Sequence, residues 1–139
     1  MSEDQTLDLD KLVSSRIERG VATVSLILEN KKLGDEEIIR LVEMEVLAEV
    51  THLELGENQI SDKGVSVLCN SPFTKNLKVL NLKSNKITEI GAQFIAQAKN
   101  LTQLENLILK FNRIGEQGAT YLAQSETLVN LTTLDLFRN

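Results

Sequence analysis

The chain has 139 residues, which is enough for one domain with a single continuous core. Its hydrophobic fraction of 42% and its one proline are typical of an ordered globular protein and exclude a linker or a disordered tail. The net charge of −5 disfavours nucleic acid as a partner, because generic binding to phosphates needs a positive field.

The N-terminal segment, residues 1–20, is predicted to form a capping helix. Its apolar residues follow helical spacing, an acidic residue is available as the N-cap, and Gly20 lies just past the end. Such a helix would cover the first repeat of the segment that follows. The apolar residues are Leu9, Leu12, Val13 and Ile17, and the candidate caps are Asp8 and Asp10.

From residue 21 onward the chain repeats with a period of 27 residues. One asparagine marks each full copy of the pattern L-x-x-L-x-L-x-x-N, at Asn58, Asn85, Asn112 and Asn139. The L-x-L core alternates with period two, which predicts a short strand with one buried face in each copy. An asparagine amide both donates and accepts, so it can satisfy backbone groups where the chain leaves the strand. A weaker first copy has Lys31 at this position, where no preceding copy exists.

Each strand is followed by the start of a predicted helix. A small or hydroxyl residue suits the N-cap, and the acid that comes next favours the positive end of the helix dipole. We therefore interpret the acids as residues that stabilise the helix N-termini, and not as a row of catalytic residues. Three residues past the cap, a recurring glycine indicates close approach of the neighbouring copy. The caps are Gly34, Ser61, Thr88 and Gly115, the acids are Asp35, Asp62, Glu89 and Glu116, and the glycines are Gly64, Gly91 and Gly118.

These residues closely resemble the leucine-rich repeat family, and the units with Gly64, Gly91 and Gly118 are similar to its ribonuclease-inhibitor-like class. The resemblance covers residues 21–139 in five copies, the last of which is incomplete. It implies an α/β fold: a right-handed solenoid with a parallel β-sheet on the concave side and α-helices on the convex side. Family members mostly bind proteins through the concave face or its rim, so the resemblance implies a protein partner.

The last copy ends at Asn139 without the helix that should follow it. Three leucines, Leu131, Leu134 and Leu136, are then on an unfinished repeat, although full burial of one leucine is worth about 1.5–3 kcal/mol. We expect either a longer protein or self-association through this end.

The remaining sequence features concern the cellular compartment of the protein. Residues 1–10 have neither a basic region nor an apolar run of the kind found in secretory signals, and no apolar stretch is long enough to span a membrane. The single cysteine, Cys69, excludes an internal disulfide and lies in a row otherwise filled by valine and alanine, where we expect a buried small hydrophobe. We expect a cytoplasmic protein, or a bacterial protein delivered into a host cytoplasm, with no membrane partner.

The residues between the buried leucines are expected to point from the concave side, in columns across the copies. These columns contain six basic and four acidic groups, and most of the basic groups lie in the later copies beside apolar and aromatic residues. Aromatic residues and arginine favour interface hot spots, and a basic patch attracts an acidic partner. The face is only on the order of 400 Å², about half of a standard interface per partner. The predicted binding residues are Lys83, Lys86, Ile108, Lys110, Phe111, Arg113, Phe137 and Arg138.

Catalysis and cofactor binding have little support in the sequence. The only histidine, His52, lies one repeat from Ser25, and the pair lacks a third triad member. One histidine and one cysteine do not suffice for a zinc site, and no phosphate-binding glycine motif is present. We expect no metal and no cofactor.

Our leading hypothesis is a non-catalytic protein–protein interaction module that binds through the concave face and the basic rim of its later repeats. One alternative is a regulator of a GTPase resembling Ran GTPase-activating proteins, although no single arginine is marked for that role. The other is a structural segment that self-assembles through its last repeat.

Overall fold

The computed structural model describes residues 7–139, so residues 1–6 of the predicted capping segment lie outside the described residues. The elements alternate strand and helix after a short N-terminal unit. The helices are α1 (Leu9–Ser15), α2 (Asp35–Leu41), α3 (Asp62–Asn70), α4 (Glu89–Ala96) and α5 (Gly115–Ala123), with a 3-10 helix at Glu45–Glu49. The strands are β1 (Ile17–Arg19), β2 (Val24–Ile27), β3 (His52–Glu54), β4 (Val79–Asn81), β5 (Asn106–Ile108) and β6 (Thr133–Asp135).

The six strands form one sheet in sequence order, and the strands from β2 to β6 are parallel. We call each strand with the helix that follows it a coil, so that coil 1 contains β2 and α2 and coil 5 begins with β6. The central leucines of successive strands are direct partners, as in the pairs Leu26 with Leu53 and Leu80 with Leu107. The 27-residue period therefore sets the register, and the predicted leucine-rich repeat solenoid is confirmed.

The core lies between the sheet and the layer of helices. Leucines of the strands β2 to β5 are fully buried, and the apolar residues of the helices at spacings of three and four pack against them. Cys69 of α3 belongs to this layer and is 4% exposed. Burial raises the pKa of its thiol from 9.0 to about 12, so Cys69 is the small buried hydrophobe that the sequence predicted.

The N-terminal helix is present but shorter than its apolar pattern suggested. Asp8 is its N-cap, since the carboxylate accepts from the N–H of Lys11 at 3.1 Å, and α1 ends at Ser15. The prediction placed Ile17 on the helix and was wrong there, because Ile17 begins β1 and pairs antiparallel with β2. Gly20 belongs to the hairpin turn, where its N–H donates to the carbonyl of Thr23 at 2.7 Å. Helix and hairpin together cover the first parallel strand.

Each repeated asparagine joins its own coil to the one before it. The Oδ1 atom of Asn58 accepts from the N–H groups of Lys31 and Leu33 at 3.0 and 2.9 Å, and its Nδ2 atom donates to the carbonyls of Leu28 and Leu55 at 2.9 Å each. Asn85, Asn112 and Asn139 repeat this arrangement, which we call the asparagine ladder. Lys31 fills the same position in coil 1, where no earlier parallel coil offers such groups.

Two of the acids at the helix starts, Asp35 and Asp62, also act between coils. The Oδ1 atom of Asp62 in α3 accepts from the N–H groups of Thr88 and Gly91 in the next coil, at 2.8 and 3.0 Å, and Oδ2 accepts from the Thr88 hydroxyl at 2.5 Å. Asp35 makes the corresponding bonds to Ser61 and Gly64. The carboxylates thus bind the N-terminus of the following helix in addition to starting their own.

The recurring glycines leave room for these carboxylates. A Cβ on Gly64 would lie 2.6 Å from Oδ1 of Asp35, and one on Gly91 would lie 2.6 Å from Oδ1 of Asp62. The close approach expected from the sequence is therefore present. The fourth helix start differs, because Gly115 is the first residue of α5, with φ +68°, and not its cap.

Candidate functional site

The predicted columns lie on one face of the sheet. His52 of β3 is the register partner of Val79, and Glu54 is that of Asn81, with the same alignment from β2 to β6. The side chains between the leucines are half-buried or exposed, whereas the leucines of β2 to β5 are fully buried. We call this surface the sheet face. It includes the residues that follow each strand up to the first residue after the asparagine position.

The charges of the early coils neutralise one another. Nζ of Lys83 lies 3.1 Å from Oε2 of Glu29 and 3.8 Å from Oε2 of Glu57, so it spans coils 1 to 3. This path crosses Gly56, where a Cβ would lie 2.9 Å from Cγ of Lys83. The hydrogen bond to Glu29 raises the pKa of the Lys83 ammonium, and the nearby acidic charges reinforce that shift against the opposing effect of burial. Lys83, one of the predicted binding residues, is thus engaged within the chain.

A second contact extends this network. The amide of Asn81 donates from Nδ2 to Oε1 of Glu54 at 2.9 Å and accepts from the N–H of Lys83 at 3.0 Å. The acidic groups of the early coils are therefore held by neighbours on the sheet face, and they offer fewer sites to a partner.

The cations of the later coils have no such partners. Among residues 7–139, no acidic group lies within salt-bridge distance of Lys86, Lys110, Arg113 or Arg138. Lys86, Arg113 and Arg138 are exposed, and Lys110 is half-buried. The one carboxylate in this part of the sheet face, Asp135, accepts from the N–H of Phe137 at 3.1 Å. Coils 3 to 5 therefore present a positive surface, which we call the basic edge.

Two aromatic rings lie within the basic edge. Phe111 and Phe137 contact each other edge to face, with ring centroids 5.7 Å apart and planes at 85°, and they are 47% and 58% exposed. The guanidinium carbon of Arg138 lies 5.4 Å from the centroid of Phe137, a cation–π distance. We call these three residues the aromatic cluster. The sequence placed them in neighbouring columns, and the structure brings them into contact.

The position before each asparagine has a left-handed backbone, which the sequence reasoning missed. The φ angles at this position run from 54° to 60° in the five coils. The conformation directs each N–H toward the next coil, as where Phe111 donates to the carbonyl of Phe137 at 2.9 Å. Asn30 at one of these positions could have indicated the left-handed backbone, because asparagine tolerates that region. The five residues are Asn30, Glu57, Ser84, Phe111 and Arg138.

The structure does not assemble a catalytic pair at the histidine. Nδ1 of His52 is 2.9 Å from the hydroxyl of Thr51, and no described residue links His52 to Ser25 by a hydrogen bond. Residues 7–139 contain no cluster of three or more His, Cys, Asp or Glu side chains that could hold a metal ion. Within the same residues, no helix has the length and apolarity needed to cross a membrane.

The parallel sheet, the buried leucines and the asparagine ladder define a solenoid repeat protein. The family model described as Leucine Rich repeat matches residues 50–69 and 75–96, which fall in coils 2 and 3. These two coils are leucine-rich repeats, and proteins with such repeats generally bind proteins and are generally not enzymes. A comparison with curated proteins gave no match. The ribonuclease-inhibitor-like class stays a prediction.

Proposed function

We propose that the chain is a non-catalytic module that binds an acidic patch of a protein partner through the sheet face, with the basic edge as the main contact. The supporting observation is the contrast along the sheet face. Lys83 is neutralised by Glu29 and Glu57, while the four cations of the basic edge have no acidic partner in the described part of the chain. Unpaired charge beside exposed aromatic rings favours association with a surface of opposite sign.

The strength of this contact is limited by the size of the sheet face. Five parallel strands at about 4.8 Å spacing give a surface on the order of 400 Å², whereas a standard interface buries about 800 Å² per partner. We therefore expect an affinity in the micromolar range for these coils alone, with the salt dependence of an electrostatic contact.

Charge reversal on the basic edge tests the proposal. The double variant Lys110→Glu and Arg113→Glu is expected to lose capture of the partner, because it replaces attraction by repulsion in the centre of the basic edge. Lys75→Glu with Lys99→Glu changes the net charge equally at two exposed residues outside the sheet face and serves as the matched control. Circular dichroism should show the same spectrum for all three proteins. Capture that survives in the first variant, or is lost equally in the control, would contradict this site.

Self-association is a second candidate, favoured by the partly exposed leucines of coil 5. Leu131, Leu134 and Leu136 are half-buried, whereas their counterparts in coil 4 are fully buried. Light scattering should then show a mass that rises with protein concentration, and a constant monomer mass would exclude this candidate. The GTPase-regulator alternative stays a prediction, to be checked by the rate of GTP hydrolysis of a matching GTPase.

A further inference from the structure

We infer that the aromatic cluster of Phe111, Phe137 and Arg138 is the binding hot spot, and that its ligand is an extended peptide segment of a partner protein in which a carboxylate lies next to an apolar side chain. The inference rests on the proposed function, because it places the main contact on the same basic edge. It adds the chemistry of the segment that is recognised.

The backbone conformation of Phe111 and Arg138 points to a ligand site. Their φ values are 59° and 60°, in the left-handed region that is unfavourable for residues other than glycine and asparagine. Asn30, Glu57 and Ser84 occupy the same position in coils 1 to 3, so the left-handed backbone belongs to the repeat and the fold accepts polar residues there. Nothing in the core needs the large side chain of Phe111, since its ring is 47% exposed. Large side chains that are kept at an exposed, unfavourable position without a packing role are typical of ligand sites.

The geometry of the aromatic cluster suits a carboxylate next to an apolar side chain. The edge-to-face contact of the two rings and the position of Arg138 over Phe137 hold all three side chains in one arrangement. An arginine that is stacked on a ring keeps its planar donors available, and these match the two oxygens of a carboxylate. The exposed faces of Phe111 and Phe137 are free to cover an apolar side chain beside that carboxylate. One ligand segment therefore meets both kinds of group at once.

Single-stranded nucleic acid is a competing ligand, because proteins also bind it with aromatic rings and arginine. A nucleic acid brings one phosphate per nucleotide along its whole length. The sheet face carries Asp135 in the column beside the cluster. This carboxylate repels a continuous phosphate backbone more than a peptide with isolated acidic residues, so a peptide fits better.

The test starts from a random library of 12-residue peptides displayed on phage and selected on the intact chain. Enriched peptides are synthesised with a fluorescent label, and their affinity is measured by anisotropy together with that of labelled oligouridylate. The variants are Arg138→Gln, which removes the charge, and Phe111→Asn, which keeps a residue that tolerates the left-handed backbone. Ser84→Asn changes the same position in coil 3 and is the control.

We expect enriched peptides to contain Asp or Glu within two positions of Leu, Ile or Phe. Their affinity should fall at least tenfold for Arg138→Gln and Phe111→Asn and stay unchanged for Ser84→Asn. Phe111→Asn should leave the urea midpoint of unfolding nearly unchanged, because relief of the left-handed backbone offsets the lost ring contact, so that the lost affinity cannot be attributed to a damaged fold.

Three results would overturn the inference: tighter binding of oligouridylate than of any peptide, enriched peptides without carboxylates, and no enrichment at all. If peptides without carboxylates still lose affinity for the two variants, the basic edge remains the binding surface and only the ligand chemistry is wrong. If acidic peptides bind both variants like the original chain, the hot spot is wrong. The proposed function fails separately, when reversal of Lys110 and Arg113 leaves partner capture intact.

Discussion

Replacing Asn112 by leucine should test the asparagine ladder as a source of stability. The Asn112 side chain is buried, and its Oδ1 atom accepts from the N–H groups of Asn85 and Ile87 at 3.2 and 3.1 Å. Its Nδ2 atom donates to the carbonyls of Leu82 and Leu109 at 2.9 and 3.0 Å. Leucine has a similar size but can make none of these bonds, so the N–H groups of Asn85 and Ile87 would lose their partner. The two carbonyls would lose one bond each and keep the bonds from the Nδ2 atoms of Asn85 and Asn139.

The magnitude follows from the two N–H groups and the two lost bonds to carbonyls. A buried polar group without a partner costs about 2 kcal/mol, so the two N–H groups cost about 4 kcal/mol, and the two lost bonds add at least about 1 kcal/mol. Burial of the new leucine offsets about 2 kcal/mol of this. The free energy of unfolding should therefore fall by at least about 2 kcal/mol, a large part of the 5–15 kcal/mol that is typical of a domain.

Urea unfolding followed by circular dichroism measures this loss. With a slope of about 1–3 kcal/mol per molar urea, a loss of 2 kcal/mol lowers the midpoint by about 1 M. Asn139→Leu is the matched control, because Asn139 is exposed and its Oδ1 atom accepts a bond from Ile114 alone. If Asn112→Leu changes the midpoint no more than Asn139→Leu does, the ladder does not supply the stability argued for it.

Two further predictions concern the packing between coils and the buried thiol. Gly64→Ala should lower the melting temperature, because the new Cβ would lie 2.6 Å from Oδ1 of Asp35. Overpacking of this kind costs about 1–3 kcal/mol. An unchanged melting temperature in a calorimetric scan would contradict this prediction. Cys69 has a folded-state pKa of about 12 against 9.0 for an ordinary thiol, so the unfolded chain gives up its proton first as the pH rises. The free energy of unfolding should thus fall above about pH 9, less steeply in Cys69→Ala, and parallel pH profiles of the two proteins would refute the assignment.

The sheet face could be predicted from the sequence because the repeat period alone determines which residues lie side by side on it. A constant period of 27 residues aligns equivalent residues of successive strands, so the columns through His52 and Glu54 follow from counting. The role of the asparagine also followed, since a side chain that donates and accepts at a strand end has few other uses. Phe111 and Phe137 came close together for the same reason, although the counting did not show that their rings touch.

Contacts that depend on the offset between coils could not be predicted. The carboxylate of Asp35 reaches Ser61 in the next coil, but an acid in the first turn of a helix already has a sufficient local explanation in the helix dipole. The ion pair joins Lys83 of coil 3 to Glu29 of coil 1. It crosses coil 2 at Gly56, where a side chain would collide with Lys83. Ile17 satisfied helical spacing by position alone, and the hairpin hydrogen bonds with β2 determined its conformation.

The asparagine ladder also gives the molecule a unit of growth. Because every rung bonds backward to the coil before it, a block of 27 residues can be duplicated or excised in phase, and each polar group then finds an equivalent partner. An inserted block with an odd number of residues that is not a multiple of the period would turn leucines outward. It would also leave the asparagine amides without hydrogen-bond partners. Gene-level insertion or loss of whole repeats can therefore lengthen or shorten the binding surface in steps of about 4.8 Å while the core stays the same.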